Sequence, residues 1–311
     1  MSNPMSDIKG LAEKLRGLKE EKNAVILAHN YQLPEVQDNA DILGDSLQLA
    51  VDASKTDSEV IVFCGVDFMA ETAKILAPER TVLHPDPEAK CPMAAMCEVE
   101  FLQAKREEHP DAIVVSYVNT TADVKARTDI CCTSANAVKV VRSVAEKEVI
   151  FTPDRNLGLY VQRFVPDKEI ILWPGFCATH HSRITVEDLQ ALKDRHPEAE
   201  VMVHPECTPE VIDFADHVFS TGGMVRHARE SARTEFIVGT EKEMAYRLSV
   251  DFPNKTFHPL EKAVCPNMKR ITLEKVVRSL ESLSPAIELS REIIERARRP
   301  LERMVDIGRD E

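Results

Sequence analysis

The segment VILAHNY at residues 25–31 contains the pattern that determines the fold, because the chain repeats it twice. The second copy is IVVSYVN at residues 113–119, and the third is VMVHPEC at residues 201–207. Each copy is an apolar run that ends in polar side chains. Counted between these polar ends, the copies are offset by 117 − 29 = 88 and 204 − 117 = 87 positions. A nearly constant period indicates that one supersecondary unit occurs three times.

Each unit shows three strand-like runs separated by helical stretches, an order typical of parallel sheets with helices on both faces. The sequence therefore predicts an α/β fold with three homologous three-layer αβα domains, whose parallel sheets surround a pseudo-threefold axis. We place these domains at residues 1–109, 110–197 and 198–311, and an amphipathic helix at residues 7–21. A last helix, from about Leu289 to Met304, carries many charges, so we expect it to lie outside the core.

The charge of the chain excludes some classes of partner. With 39 basic and 52 acidic residues, the formal net charge is −13. Nucleic acids and anionic membranes require a basic surface, so we expect neither as a partner. The start MSNPMSDIKG lacks the apolar core of a signal peptide, and no run reaches the length of a transmembrane helix. We therefore expect a cytoplasmic protein whose eight cysteines are mostly thiols.

One cysteine recurs in every unit. Cys91, Cys177 and Cys265 follow the polar ends of the three copies by 62, 60 and 61 positions. Three thiolates without a fourth could hold an iron–sulfur cluster with one open iron, or a zinc ion with one open position. Cys97 is a possible surrogate ligand, and Cys207 could line the site without binding metal. The others are interpreted as buried structural residues: Cys64, Cys131 and Cys132.

Nine polar residues occupy equivalent positions in the three units. The strand ends carry His29, Tyr117 and His204; two positions later stand Tyr31, Asn119 and Glu206; and 17 positions after the strand ends stand Ser46, Ser134 and Thr221. Ligands of parallel sheets bind beyond the carboxyl ends of the strands, so we expect these residues to share one site. The last set precedes helices. These hydroxyl residues could simply be helix caps. Three helix starts that face one centre would in addition bind phosphate or carboxylate oxygens.

Histidine and tyrosine are further candidates for acid–base chemistry. His29 and His204 could bind carboxylates or move protons, and Tyr31, Tyr117 and Glu206 are the other acid–base candidates. His180 stands three residues after Cys177, close to any metal there, and is a candidate substrate contact; whether it or His181 faces the site stays open. The remaining histidines are interpreted as structural hydrogen-bonding residues: His84, His109, His196, His217, His227 and His258.

Over residues 20 to 304 the chain resembles the quinolinate synthase family of de novo NAD biosynthesis. The resemblance rests on motifs that occur in the family's order: AHNYQLPEVQD, GDSLQLA, GVDFMAE, KCPMA, SYVN, CTSANA, PDRNLG, HPEC, STGGM, GTE and VCPNMK. It implies a [4Fe–4S] cluster held by Cys91, Cys177 and Cys265. It also implies that the protein condenses iminoaspartate with dihydroxyacetone phosphate to give quinolinate, phosphate and water, with the open iron as Lewis acid. A possible functional link to L-aspartate oxidase is implied as well.

The resemblance also suggests roles for individual residues. His29 and His204 resemble residues that grip substrate carboxylates or phosphate, Tyr31 the tyrosine that assists cyclisation and dehydration, and Glu206 the general base. The other substrate contacts implied are Tyr117, Asn119, Ser46, Ser134 and Thr221. The segment AVCPNMK has one cysteine where some relatives carry C-x-x-C-x-x-C, so a redox switch of that kind is not expected.

Two other classes of protein remain open at this point. A three-cysteine iron–sulfur reductase or radical enzyme of similar three-domain architecture would need an electron donor, and one such type needs S-adenosylmethionine. The motifs AHNY, HPE and GDS argue against both enzymes. A metal-sensing protein or iron–sulfur carrier would expose its cluster and would not need nine aligned polar residues.

Overall fold

The structure, a computed structural model that describes residues 4–309, contains three parallel four-stranded sheets. The first unit contributes β1 (Ala24–His29), β2 (Ile42–Gly44), β3 (Val60–Cys64) and β4 (Thr81–Leu83); the second β5 (Ile113–Tyr117), β6 (Ile130–Cys132), β7 (Glu148–Thr152) and β8 (Glu169–Leu172); the third β9 (Glu200–Val203), β10 (His217–Val218), β11 (Glu235–Gly239) and β12 (Thr256–Pro259). In each sheet the second strand stands beside the first, followed by the third and fourth: β2-β1-β3-β4, β6-β5-β7-β8 and β10-β9-β11-β12. The α/β fold class and its threefold repetition are confirmed.

Helices connect and cover these strands. In the first unit they are α1 (Pro4–Glu21), α2 (Pro34–Gln37), α3 (Ser46–Lys55), α4 (Asp67–Leu76) and α5 (Val99–Glu108); in the second α6 (Ala122–Lys125), α7 (Ala137–Ser143), α8 (Arg155–Gln162), α9 (Ala178–Arg183) and α10 (Val186–Arg195); in the third α11 (Pro209–Phe214), α12 (Thr221–Glu230), α13 (Glu243–Asp251), α14 (Leu273–Ser282) and α15 (Arg291–Ile307). Short 3₁₀ turns occur at Ala94–Met96 and Met268–Arg270.

Alternation along the strands separates a shared core from three outer cores. In β1, Leu27 points to an apolar cluster that contains side chains from all three units, whereas Ile26 and Ala28 point to a cluster that α1 and α14 form on the outer face of the first sheet. Outer clusters also cover the second and third sheets. Because successive side chains of a strand face opposite sides, each sheet is buried on both faces and forms the middle layer of three.

The sequence predicted three strands in each unit, and the structure adds a fourth. The missed strands β2, β6 and β10 have three, three and two residues and stand at the edge of each sheet. Runs this short carry almost no periodicity. The stretch from Pro34 to Leu43 forms the short helix α2 and then the start of β2.

The prediction that the last helix lies outside the core is wrong. Helix α15 is charged on its exposed face, but Ala297, Leu301 and Met304 are fully buried in the cluster shared by the three units. Their spacing of four and three residues forms one apolar stripe on the helix. The helix therefore closes the shared core, where it contacts α4, α6 and β6.

The strands of each sheet fall inside one of the predicted domains, while the boundaries at residues 1–109, 110–197 and 198–311 stay a prediction. The outer ends of the first and third ranges, residues 1–3 and 310–311, lie outside the described residues. Within the part of the chain that the structure describes, no helix combines the length and apolar character needed to cross a membrane.

Candidate active site

One cavity of about 160 Å³ gathers the candidate site residues from all three units. Thirteen side chains proposed from the sequence line it: His29, Tyr31, Ser46, Cys91, Tyr117, Asn119, Ser134, Cys177, His180, His204, Glu206, Thr221 and Cys265. The cavity lies at the carboxyl ends of the central strands, since β1 ends at His29, β5 ends at Tyr117, and His204 directly follows β9. The structure thus brings these residues together, and their individual roles stay predictions.

The three cysteines stand on loops that follow the fourth strand of each sheet, and each is partly exposed. Cys97 and Cys207 are not among the described residues that line the cavity. Cys97 is buried, and its sulfur accepts a hydrogen bond from the Thr152 hydroxyl at 2.9 Å. Cys207 lies in the outer core of the third unit. Neither position therefore favours the surrogate-ligand and lining roles considered for these two thiols.

A carboxylate that sequence analysis did not single out supports each cysteine loop. In every unit the backbone N–H of the cysteine donates to a carboxylate 23 or 24 residues earlier: Cys91 to Asp67 Oδ1 at 3.0 Å, Cys177 to Asp154 Oδ2 at 3.1 Å and Cys265 to Glu241 Oε1 at 3.2 Å. The carboxylates are spaced by 154 − 67 = 87 and 241 − 154 = 87 residues. The repeat therefore contained the signal that could have identified them.

Burial raises the pKa of all three cavity cysteines above the ordinary thiol value. A metal centre binds the thiolate, so loading this site replaces the proton of each thiol by the metal and releases that proton to water. The Cys177 sulfur belongs, together with His180 and Glu206, to a group whose potential ligand atoms all lie within 4.8 Å of one another.

His29 and His204 have the same tautomer, and the backbone fixes it. The N–H of Tyr31 donates to His29 Nδ1 at 3.2 Å, and the N–H of Glu206 donates to His204 Nδ1 at 3.3 Å. Because Nδ1 accepts, the proton of each neutral ring is on Nε2. Burial lowers the pKa of His29 to about 4 and that of His204 to about 3, although nearby carboxylates oppose the shift. Both rings are therefore neutral donors near pH 7, and His204 Nε2 lies 3.1 Å from Ser134 Oγ.

Glu206 is the buried acceptor at the centre of the site. Its Oε1 accepts the Tyr117 hydroxyl at 2.5 Å, and its Oε2 lies 2.8 Å from His180 Nδ1. Burial alone would raise the pKa of this carboxyl, but His180, His204 and the Tyr117 hydrogen bond hold it below its usual range. Burial and the charge of Glu206 raise the pKa of Tyr117. Glu206 is thus an ionised acceptor and Tyr117 a protonated donor.

A hydrogen-bonded chain connects Tyr31 to this carboxylate through Thr240, which sequence analysis missed. The Tyr31 hydroxyl lies 2.5 Å from Thr240 Oγ1, and Thr240 Oγ1 lies 2.7 Å from His180 Nε2. His180 Nδ1 faces Glu206. Burial and the charge of Glu206 raise the pKa of Tyr31 well above its usual value, so its hydroxyl keeps its proton. Thr240 occurs in the quoted GTE motif, but only the fold brings it between a tyrosine and a histidine.

The structure also settles which of the two adjacent histidines faces the site. His180 lines the cavity and is almost completely buried, with Nδ1 3.2 Å from Cys177 Sγ. His181 is partly exposed, and its Nδ1 lies 3.0 Å from Asn156 Nδ2.

The three hydroxyls expected near helix starts do not cap those helices. Asp45 caps α3 by accepting the N–H of Gln48, and Ser220 caps α12 by accepting the N–H of Gly223. Ser46 and Thr221 are instead the first residues of α3 and α12, whose positive ends meet the cavity. The third helix differs, because α7 begins at Ala137, three residues after Ser134.

Two further features shape the cavity wall. Asn119 Oδ1 is buried and has no hydrogen-bond partner within the described residues, so it can accept a hydrogen bond from a ligand. Asp45 lines the cavity and is paired through both oxygens with Arg309, which follows α15, at 2.5 and 2.8 Å. Burial would raise the pKa of Asp45, but the hydrogen bonds and charge of Arg309 lower it.

Neutral imidazole donors, helix starts and a buried carboxylate next to a tyrosine can bind oxyanions and move protons. Together with three thiols at the junction of three α/β units, they define an α/β enzyme rather than a structural protein. Residues 13–306 match the family described as Quinolinate synthetase A protein. The chain belongs to this family.

The chain is also similar over nearly its whole length to curated proteins that are named quinolinate synthase. The chain is 55% identical over 302 residues to the quinolinate synthase of Methanoregula boonei, an alignment that covers 97% of this chain and 99% of the relative. It is 51% identical over 299 residues to quinolinate synthase 2 of Methanosarcina acetivorans, covering 96% of each chain. It is 50% identical over 308 residues to the quinolinate synthase of Aquifex aeolicus, covering 97% of this chain and 95% of the relative.

Proposed function

We propose that the protein is a quinolinate synthase that condenses iminoaspartate with dihydroxyacetone phosphate and releases phosphate and water. The observation that carries the proposal is the single cavity in which three repeat-related cysteines meet nine repeat-related polar residues. The family membership and the names of the curated relatives support the same reaction.

A [4Fe–4S] cluster is the cofactor that the donor set supports. The ligands would be Cys91, Cys177 and Cys265, and a cluster with three cysteine ligands keeps one iron open. Membership of the matched family favours a cluster over the zinc alternative. When bound, the cluster supplies a Lewis acid that polarises a substrate oxygen or nitrogen.

The donors of the cavity wall suit substrates that carry carboxylates and phosphate. The Nε2–H groups of His29 and His204 are uncharged donors at neutral pH, because burial lowers the pKa of both rings. The hydroxyls of Ser46 and Thr221 stand at the positive ends of α3 and α12, which favour anionic oxygens. The unpaired Asn119 Oδ1 would accept from an amine or hydroxyl of the substrate.

Proton transfer is assigned to the buried chain around Glu206. Tyr31 is the proposed donor to leaving hydroxyl groups, and its proton can be replaced through Thr240 and His180. Glu206, held ionised, is the proposed base, and Tyr117 orients it through the 2.5 Å hydrogen bond. Acid–base groups positioned in this way contribute typically about 10²- to 10⁴-fold to a rate.

We place this activity in the cytoplasm, where the cysteines would stay reduced. Iminoaspartate is an imine, which water hydrolyses. An enzyme that oxidises the amine of aspartate would have to supply it close to the time of use. This requirement is the basis for the proposed functional link to L-aspartate oxidase.

The test is anaerobic purification, iron and sulfide analysis, and an assay of quinolinate formation from the two substrates without an added electron donor or S-adenosylmethionine. Alanine at Cys91, Cys177 or Cys265 should abolish cluster binding and turnover. Cys64→Ala is the matched control, because Cys64 is buried in the outer core of the first unit and should keep both properties. Full activity of metal-free protein would exclude the mechanism, and a dependence on electron donors would favour the reductive alternative.

A further inference from the structure

A second cluster of potential metal ligands lies at the end of the third sheet opposite the candidate active site. Glu200 is the first residue of β9, His217 the first residue of β10, and His227 belongs to the last turn of α12. Strand β9 runs from Glu200 toward His204 in the cavity, a separation of about 13 Å at 3.3 Å per residue. The cluster is therefore separate from the three cysteines.

The donor atoms of this cluster have the spacing of a metal site. Glu200 Oε2 lies 2.9 Å from His227 Nε2 and 3.6 Å from His217 Nε2, and all three donor atoms lie within 4.8 Å of one another. A tetrahedral zinc with bonds of about 2.1 Å places its donors about 3.4 Å apart. Both Nε2 atoms approach the same carboxylate oxygen, and the two imidazole rings are tilted by 48° rather than stacked in parallel.

The two oxygens of Glu200 have different neighbours. Oε2 faces the imidazoles, whereas Oε1 lies 3.3 Å from Arg233 Nε. A partner on the second oxygen fixes the orientation of a ligating carboxylate, as is usual around bound metals. The ligands also stand on two neighbouring strands and the helix that covers them, which limits their movement. Their side chains are 19% to 33% exposed, so an ion and a water molecule can reach the site.

A similar cluster on the opposite face of the same sheet serves as a comparison. Glu200 is paired with Phe236, so Glu235 points to the other face, where it meets His196 and His258. There both imidazoles lie 2.8 to 2.9 Å from one oxygen, and the rings stack at 3.6 Å with a tilt of only 22°. The donor atoms of this group also lie within 4.8 Å of one another, but its rings lie face to face, so an ion midway between them would lie well outside both ring planes, where the nitrogen lone pairs do not point. This geometry is that of a hydrogen-bonded group.

We propose that Glu200, His217 and His227 bind one divalent transition-metal ion of the zinc class, with a fourth position open to water. Two imidazoles and one carboxylate are a ligand set that suits zinc. The sequence analysis interpreted all four histidines as structural hydrogen-bonding residues. We now propose a metal-binding role for His217 and His227 and keep the structural role for His196 and His258. The ion would connect β9 and β10 to α12, the helix that begins at Thr221 in the candidate active site.

The test is zinc uptake by the full-length, cluster-containing protein under anaerobic conditions. Protein incubated with Zn²⁺ and then desalted should retain one zinc per chain, measured by mass spectrometry of the elements. His217→Asn and His227→Asn should each weaken zinc binding by at least about a hundredfold in a chelator competition. The matched controls His196→Asn and His258→Asn should bind zinc as the wild type does.

Two further measurements keep the result interpretable. The absorption of the iron–sulfur centre should stay constant during zinc addition, which shows that zinc does not occupy the cysteines. Zinc should raise the melting temperature of the wild type and of the controls but not that of His227→Asn, since ligand binding stabilises only a protein that binds it. Three results would overturn the proposal: the wild type retains no zinc, both site variants retain as much zinc as the wild type, or the controls lose as much zinc as the site variants.

Discussion

Replacing Asp154 by alanine should loosen the loop that carries Cys177. Asp154 is completely buried, and its two oxygens accept the N–H of Leu157 at 2.8 Å and the N–H of Cys177 at 3.1 Å. The first bond caps α8, and losing such a cap costs about 1 kcal/mol. Losing the second bond leaves the N–H of Cys177 without its acceptor, which costs about 1 to 3 kcal/mol. The free energy of unfolding should therefore fall by about 2 to 4 kcal/mol.

This loss is large enough to measure in two independent ways. Total stabilities of about 5 to 15 kcal/mol make it a substantial fraction of the whole. For a chain of 311 residues, it corresponds to a drop in melting temperature of roughly 3 to 6 °C. Iron bound per chain after anaerobic desalting should fall as well, because the loop that presents the Cys177 sulfur is no longer fixed.

Asp154→Asn is the matched control, since an amide keeps one acceptor oxygen and loses the other. It should lose about half as much stability and retain more iron than the alanine variant. Asp67→Ala and Glu241→Ala remove the equivalent support of the other two cysteines and should lower iron content in the same way. Alanine variants that melt with the wild type and keep all their iron would refute the argument that these carboxylates hold the cysteine loops.

Other consequences of the site can be tested separately. Tyr31→Phe should keep its iron and lower quinolinate formation by about 10²-fold or more, and unchanged turnover would remove this hydroxyl from the proton chain. The pKa values of His29 and His204 are lowered to about 4 and about 3, so below pH 6.5 the unfolded chain binds protons that the folded protein does not. The free energy of unfolding should therefore fall as the pH falls below 6.5, by about 1.4 kcal/mol per pH unit for each ring. Denaturant titrations from pH 7 to pH 4.5 should show this slope reduced in His204→Asn, and an identical slope would contradict the buried neutral ring. Arg309→Gln should raise the pKa of Asp45 and lower the free energy of unfolding at neutral pH by about 2 kcal/mol, measured by the same titrations; no change would show that this pair contributes nothing.

Periodicity explains what the sequence could predict. A period of 87 to 88 residues identified three equivalent units, and it aligned the cysteines and nine polar residues that the structure brings to one cavity. The same period also relates Asp67, Asp154 and Glu241, which were overlooked because a lone carboxylate at or just before a helix start has no distinctive neighbours. The apolar stripe of α15 was likewise present in the sequence, but its high charge concealed it.

Features that depend on long-range contacts could not be predicted in this way. Thr240 joins Tyr31 to His180 across separations of 209 and 60 residues. Nothing near position 240 indicates such neighbours. Strands of two or three residues, such as β10, form because a sheet edge is available to them and not because of their own pattern. The ligands Glu200, His217 and His227 have no regular spacing, so only the fold reveals that they converge.

The charges around the cavity explain how a chain of net charge −13 can hold an anionic ligand. Each carboxylate that lines the cavity has a local partner: Asp45 is paired with Arg309, Glu241 lies 2.9 Å from Lys269 Nζ, and Glu206 lies against His180. The groups that remain available to donate include the neutral imidazoles, the starts of two helices and the exposed guanidinium of Arg183, which also lines the cavity. Because buried pairs are screened little by salt whereas surface charges are screened strongly, the field inside the cavity is set by these few partners. The net charge of the chain therefore does not decide which ligands enter.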